Sequence, residues 1–457
     1  MRTSQTNRFA RWAAIVATIV AAIVLIIYVR RSHQAQSAKK ATPPPVPSTV
    51  ERESNGFTLS KVEHERTIIT VRASKATVYR EGDHTLLSDV WITVYGRNGD
   101  QSDNIHTPSC DYQVSAGLMT CPGEVQIDLE SAEEAKRAAS APAGSPPLRI
   151  VHVVTSKLTY DNNSGSVATD QPVDFNFPGG EGRAVGADYA GGDGVLNLLH
   201  DVHLKLSPPA PKGKVSEAPS APIDVAGSSL EFQRKARVMF LHGPVTARQQ
   251  ALPNFVSAGA QSQGMHPPNA GDDRELFASL LTVNLDKDLK ANKITATGDA
   301  KDRPQMRSTG AKGSGAIFAD QFIADLAPEG WMEHLSAVGD VQGDYKSATD
   351  TNHFAAARID AEMVTKLNQP KEVNATGAVR INSVRAAPAG SGSSRGSSGG
   401  TSTRTIETTA LALDFAPGPP SRATNQPRYQ LTRARSLAPA TVTMSEPVPP
   451  QPGSQQS

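Results

Sequence analysis

Residues 187–206, ADYAGGDGVLNLLHDVHLKL, place an aromatic residue before a glycine-rich turn, then a short apolar run, then a polar pair ahead of Val202. The stretch closes on the alternation Val202, Leu204, Leu206. The same design recurs in CDYQVSAGLMTCPGEVQIDL (110–129), LTYDNNSGSVATDQPVDFNF (158–177) and LEFQRKARVMFLHGPVTA (230–247). In all four the aromatic precedes the valine by 13 residues: Tyr112 to Val125, Tyr160 to Val173, Tyr189 to Val202 and Phe232 to Val245. A fifth copy, ATVYREGDHTLLSDVWITV (76–94), has a spacing of 11 between Tyr79 and Val90, and looser copies surround Gly298, Gly339 and Gly377. A fixed period of this kind marks a repeat architecture.

Each copy ends in strict alternation: Val90, Ile92, Val94; Val125, Ile127, Leu129; Val173, Phe175, Phe177; Val202, Leu204, Leu206. A period of two puts these side chains on one face of a strand and Trp91, Gln126, Asp174 and His203 on the other. One two-stranded unit cannot bury its apolar face, so the copies must stack into an elongated antiparallel sheet with the apolar faces inside. Val245 opens the corresponding row of the fourth copy. Aromatics make up only 5% of the chain, so mostly aliphatic side chains face inward and leave room for a groove. The 36 glycines and 33 prolines among 457 residues likewise favour turn-punctuated β-structure over large helices.

Composition and motifs exclude several functions. A formal charge of +1 lacks the basic excess of a nucleic-acid binder. GGEGRAVG (179–186) has the wrong spacing for a dinucleotide fingerprint and no helix to follow it. Gly392–Gly396 spells G-x-S-x-G inside a Gly/Ser linker, without the strand and helix of a nucleophile elbow. His200 and His203, three apart on a strand, point to opposite faces and cannot share a metal. The run Glu133–Arg137 reads as a surface loop or a single helical turn. No acidic pair stands out as catalytic, so the chain reads as a protein without catalytic residues, metal or cofactor.

The apolar run Trp12–Val29 is long enough for a transmembrane helix and is followed directly by Arg30 and Arg31 rather than by a cleavage site. Residues 1–11 form a tail before it and residues 30–55 a Pro-rich tether after it. Proline- and glycine-rich stretches then divide the chain into blocks at 56–207, 225–385 and 403–445, with linkers at 208–224 and 386–402 and a disordered tail at 446–457. If Ser115–Ala116 is a hairpin turn, Cys110 lies directly opposite Cys121. Either a cross-strand disulfide, which implies an oxidising compartment, or two inert buried thiols fits that placement.

The segments ASKATVYREGDHTLLSDVWITVYGRNGD (73–100) and TSKLTYDNNSGSVATDQPVDFNFPGGEGRAVGADYAGGDGVLNLLHDVHLKL (155–206), behind a single anchor helix, resemble the LptC family of lipopolysaccharide-transport proteins. ADQFIADLAPEGWMEHLSAVGDVQG (319–343) and IDAEMVTKLNQPKEVNATGAVRI (359–381) are similar to the related LptA/OstA repeats. The resemblance implies an all-β, open and twisted antiparallel β-jellyroll on the periplasmic side of the inner membrane. Its interior would carry lipopolysaccharide or a similar glycolipid received from an inner-membrane ABC transporter, and its edge strands would join a further β-jellyroll bridge protein. It also turns the inward rows into candidate lipid contacts. The chain is far longer than the usual LptC pattern, which suggests that one polypeptide combines anchor and bridge. An anchored envelope scaffold with a plain packed core is the rival reading.

Overall fold

The computed structural model describes residues 50–445, apart from 64, 81–82, 96–101, 130–150, 178, 191–193, 208–221, 250–272, 288, 300, 311–312, 349, 365–368, 387–400 and 421–426. The expected tail, transmembrane run and C-terminal segment, most of the tether, Glu133–Arg137 and Gly392–Gly396 lie outside the described residues. Among the described residues no helix is long and apolar enough to cross a membrane, and the regular structure is entirely β.

The first block contributes β1 (Val50–Glu63), β2 (Arg66–Tyr79), β3 (His84–Tyr95), β4 (Ser102–Gln113), β5 (Leu118–Leu129), β6 (Val151–Asp161), β7 (Ser166–Phe177), β8 (Gly180–Ala190) and β9 (Val195–Leu206). Next come β10 (Ile223–Gly227), β11 (Ser229–Gln233), β12 (Val238–Gln249), β13 (Asp273–Leu285), β14 (Ala291–Thr297), β15 (Gln305–Gly310), β16 (Gly313–Phe318) and β17 (Gln321–Leu326). The last strands are β18 (Met332–Ser347), β19 (Asp350–Val364), β20 (Gln369–Ala386), β21 (Thr401–Pro420), β22 (Pro427–Ser436) and β23 (Thr441–Ser445).

All pairings are antiparallel and follow chain order, without a crossover. Four strand positions are each shared by two short strands lying end to end: β10 with β11, β14 with β15, β16 with β17, and β22 with β23. The 23 strands thus occupy 19 positions in one sheet. At a spacing of about 4.8 Å this gives a ribbon of about 85 Å along its hydrogen-bonding direction.

The repeat now has a geometric meaning. In each copy with the spacing of 13, the aromatic pairs with the residue seven positions later across a four-residue turn: Tyr112 with Met119, Tyr160 with Val167, Tyr189 with Leu196 and Phe232 with Met239. The second strand then bends just before its valine. Left-handed backbone at Asp89, Lys157, Gly186, Asp201, Gly339 and Gly377, and register shifts on either side of Pro108, Pro122, Pro172 and Pro244, line up as one column of bends across the sheet. An extra residue of this kind kinks a strand and sharpens its twist. Past the column, Val90, Val125, Val173, Val202, Val245, Val341 and Val379 are 0–3% exposed. Small residues face most of them across the ladder, as in Val90–Thr107, Val125–Thr155, Val173–Ala184, Val245–Ala278 and Val341–Ala356.

The column folds the ribbon into two facing leaves. Residues from both sides of the bend share cores, such as Leu87 and Met119 with Ile92 and Ile105 in the first. A second core runs from Ala184 to Val341, and a third gathers Ala356, Val379 and Leu411. Cys110 and Cys121 are joined in a disulfide, with a Cα–Cα distance of 4.1 Å, and are fully buried in the first core.

Boundaries read from composition differ from those of the sheet. β1 begins at Val50, inside the expected tether, because Val50–Glu63 pairs along nearly the whole of β2. The proline-rich stretch 208–224 does not interrupt the sheet: β9 pairs with β10 through Leu204–Val225 and with β11 through Leu198–Leu230. β20 and β21 likewise pair across 387–400. Loop composition reports on the connection and is silent about strand pairing on either side of it.

Candidate functional site: an apolar trough

The inner face of one leaf carries a single row of side chains from end to end. It begins Leu59–Val71–Ile92–Ile105–Ile127–Val153–Phe175, each paired with the next. From Phe175 it crosses Gly182 to Leu204, Val225, Ala247, Leu276, Met306 and Ile317. It then crosses Gly343 to Phe354, Ile381, Ile406 and Val442. The two glycines do not leave gaps. A Cβ on Gly182 would collide with the Phe175 ring and one on Gly343 with the Phe354 ring, so each phenylalanine lies across its neighbouring glycine and keeps the row apolar.

Burial falls from the bend outward along β5, β7 and β9, as a wedge-shaped interior requires, whereas in β2, β3 and β4 Ile69, Val71, Ile92 and Ile105 stay sealed further out. Val90, Ile92, Val125, Val173, Val202 and Val245 are sealed and make the floor. Val94, Ile127, Leu129, Phe175, Phe177, Leu204 and Leu206 are half-buried and line the widening part. All 13 residues expected to face inward share that face, six of them sealed and seven half-buried. The alternation Val, x, Ile, x, Val carries no sign of that division.

The outer face is polar. Trp91 is half-exposed and stacks on His106 at 4.2 Å, and His106 reaches Asp89 at 3.1 Å. His84 pairs with Asp111 and His152 with Asp128 on the same outer surface. His200 and His203, expected on opposite faces, are both exposed, because the left-handed Asp201 between them adds a residue to the strand. Among the described residues no group of three His, Cys, Asp or Glu is placed to hold a metal ion. Of the glycines in 179–186, Gly179 precedes β8, Gly180 and Gly182 lie at its start, and Gly186 is at its bend, so no helix follows them.

Two contacts cross between the leaves at their strand ends. Lys61 Nζ donates to the carbonyl oxygens of Asn162 (2.7 Å) and Asn163 (3.3 Å). Arg234 Nη1 donates to Asp103 Oδ2 at 3.4 Å, between residues 131 apart in sequence. Asp103 is 6% exposed at its side chain and stands opposite Val94 in the trough. Near this pair stands Tyr189, whose phenol burial, followed by the nearby Asp103 charge, pushes above its ordinary pKa, while the Arg234 guanidinium pulls it back. No signal in the sequence linked these three residues.

At the far edge the inner row runs out into solvent. Leu431, Leu437, Val442 and Met444 on or beside β22 and β23 are 48–62% exposed, and among the described residues no further strand covers them.

Fold and site together define an all-antiparallel β-jellyroll-like protein with a continuous apolar inner row. Residues 17–206 match the model of the LptC family, described as lipopolysaccharide-assembly, LptC-related, and over this stretch the chain is LptC-like. Among solved structures, LptH from Pseudomonas aeruginosa, described as the LptA-homologous periplasmic component of the conserved lipopolysaccharide transport device, is 16% identical. That match has a TM-score of 0.23 and covers 34% of this chain and 82% of that one. No curated protein matches the chain.

Proposed function

We propose that this chain is an inner-membrane-anchored, periplasmic component of lipopolysaccharide transport, whose trough receives the acyl chains of the glycolipid and passes them along the sheet. The observation that carries this reading is the inner row that stays apolar from Leu59 to Val442 and that, apart from the sealed Val71, Ile92, Ile105 and Val225, remains only part-buried. A scaffold with a plain packed core would seal the outer positions as tightly as the bend.

Every acyl methylene moved from water into such a trough is favoured by about 0.8 kcal/mol, so several chains bind without any covalent step. The same term is nearly equal at each strand position, so it gives no direction. Direction would come from ATP hydrolysis in an ABC transporter at the membrane end. Two features support delivery to a partner at the other end: the exposed apolar residues near β22 and β23, and the outer edge of those strands, which no other described strand pairs and which can accept a further strand. With the trough continuous across 208–224, a single chain would serve as both receiver and bridge.

The test is photocrosslinking in the cell with a light-activated residue at Leu204 and, as an outward control, at Asp174. A lipopolysaccharide adduct at Leu204 alone is the expected result. Equal labelling at both positions, or none at Leu204 in folded protein, contradicts the proposal.

A further inference from the structure

The trough holds one feature that an acyl chain should not tolerate. Asp103 and Arg234 form an ion pair that crosses a mostly apolar interior, with Tyr189 close to the same guanidinium. Asp103 comes from β4, a strand of the first core, whereas Arg234 follows β11 and Tyr189 ends β8, strands that contribute to the second core. The pair therefore joins opposite leaves and also stands where one apolar core gives way to the next. An acyl chain advancing along the trough meets charge at this point. Separating a buried carboxylate from a guanidinium beside it is costly, so the ion pair favours the closed arrangement.

We infer that Asp103, Arg234 and Tyr189 are a gate across the trough, closed in this structure, which opens to let an acyl-chain ligand pass from the first core toward the second. This rests on the lipid-transport reading above. The three residues are positioning residues, acting on the width and polarity of the passage. Neither Val94 nor Met306 takes part in the gate, and the two lie on either side of it, in β3 and β15.

The test uses full-length protein in the cell, with a light-activated residue at Val94 or at Met306, and reads the ratio of lipopolysaccharide adducts at the two sites. Replacing the pair with leucines, Asp103→Leu with Arg234→Leu, removes the polar barrier, and exchanges of buried ion pairs for apolar residues are commonly neutral for folding. A cooperative thermal melt of the purified variant checks the fold. The ratio of Met306 to Val94 adduct should rise at least threefold in the leucine variant. It should return to the wild-type value in the swapped pair, Asp103→Arg with Arg234→Asp. Adducts at both sites in unchanged ratio would overturn the gate and leave the transport reading standing. Absence of adduct at both sites in wild-type protein would overturn the transport reading itself.

Discussion

Val202→Asp is expected to unfold the protein, seen as loss of the cooperative thermal transition. Val202 is fully buried directly after the left-handed Asp201, in the column of valines that forms the floor of the wedge. The substitution forfeits about 1.5–3 kcal/mol of apolar burial. It also places a carboxylate where no cation is described beside it, which costs several kcal/mol more. Together these reach about 5 kcal/mol, comparable with the whole stability of many domains. Leu204→Asp, only two residues further along β9, should cost about 1–2 kcal/mol, because its half-buried side chain can turn its charge toward water. If Val202→Asp melts like the wild type, the bend is not the closed end of the interior.

Phe175→Asp should leave a folded protein that has lost at least tenfold of its lipopolysaccharide adduct at Leu204. The Phe175 ring spans the gap at Gly182, beside Leu204, and has Phe177 at 6.1 Å. Its half-buried position lets the carboxylate stay hydrated in empty protein, at a stability cost of about 2 kcal/mol. An acyl chain lying over the site would strip that water, and a tenfold loss needs a penalty of only about 1.4 kcal/mol. The measurement pairs the adduct yield with a thermal melt. Unchanged labelling in folded Phe175→Asp would remove this row from the ligand path.

The hairpin repeat was legible because it rests on local chemistry: an aromatic, a turn and alternation at fixed spacing. The pairing of Tyr112, Tyr160, Tyr189 and Phe232 with the residue seven positions on follows from that spacing. The small or polar pair before each valine was visible too, but not its meaning. Nothing in the letters of Asp89, Lys157 or Asp201 announces left-handed backbone, which these residues adopt because the sheet must turn there. Burial along the row was equally hidden, since Ile92 and Leu204 look alike in an alternating strand and both lie two residues past the valine at the bend, yet Ile92 is sealed in the first core and Leu204 is half-buried. Contacts made by folding the leaves together were beyond any local pattern. Asp103 meets Arg234 because the ribbon folds over at the bend, and the proline-rich stretch at 208–224 hides a sheet that continues across it.

Continuity of the trough is the claim on which the account turns, and a ladder of light-activated residues tests it most directly. The positions are Ile127, Phe175 and Leu204 in the first block and Met306, Ile317 and Ile381 beyond the linker, with Asp174 and His203 as outward controls. The account predicts lipopolysaccharide adducts at the inward positions of both blocks and none at the controls. Adducts confined to the first block would mean that the second is a scaffold and that the apolar row ends its function at β9.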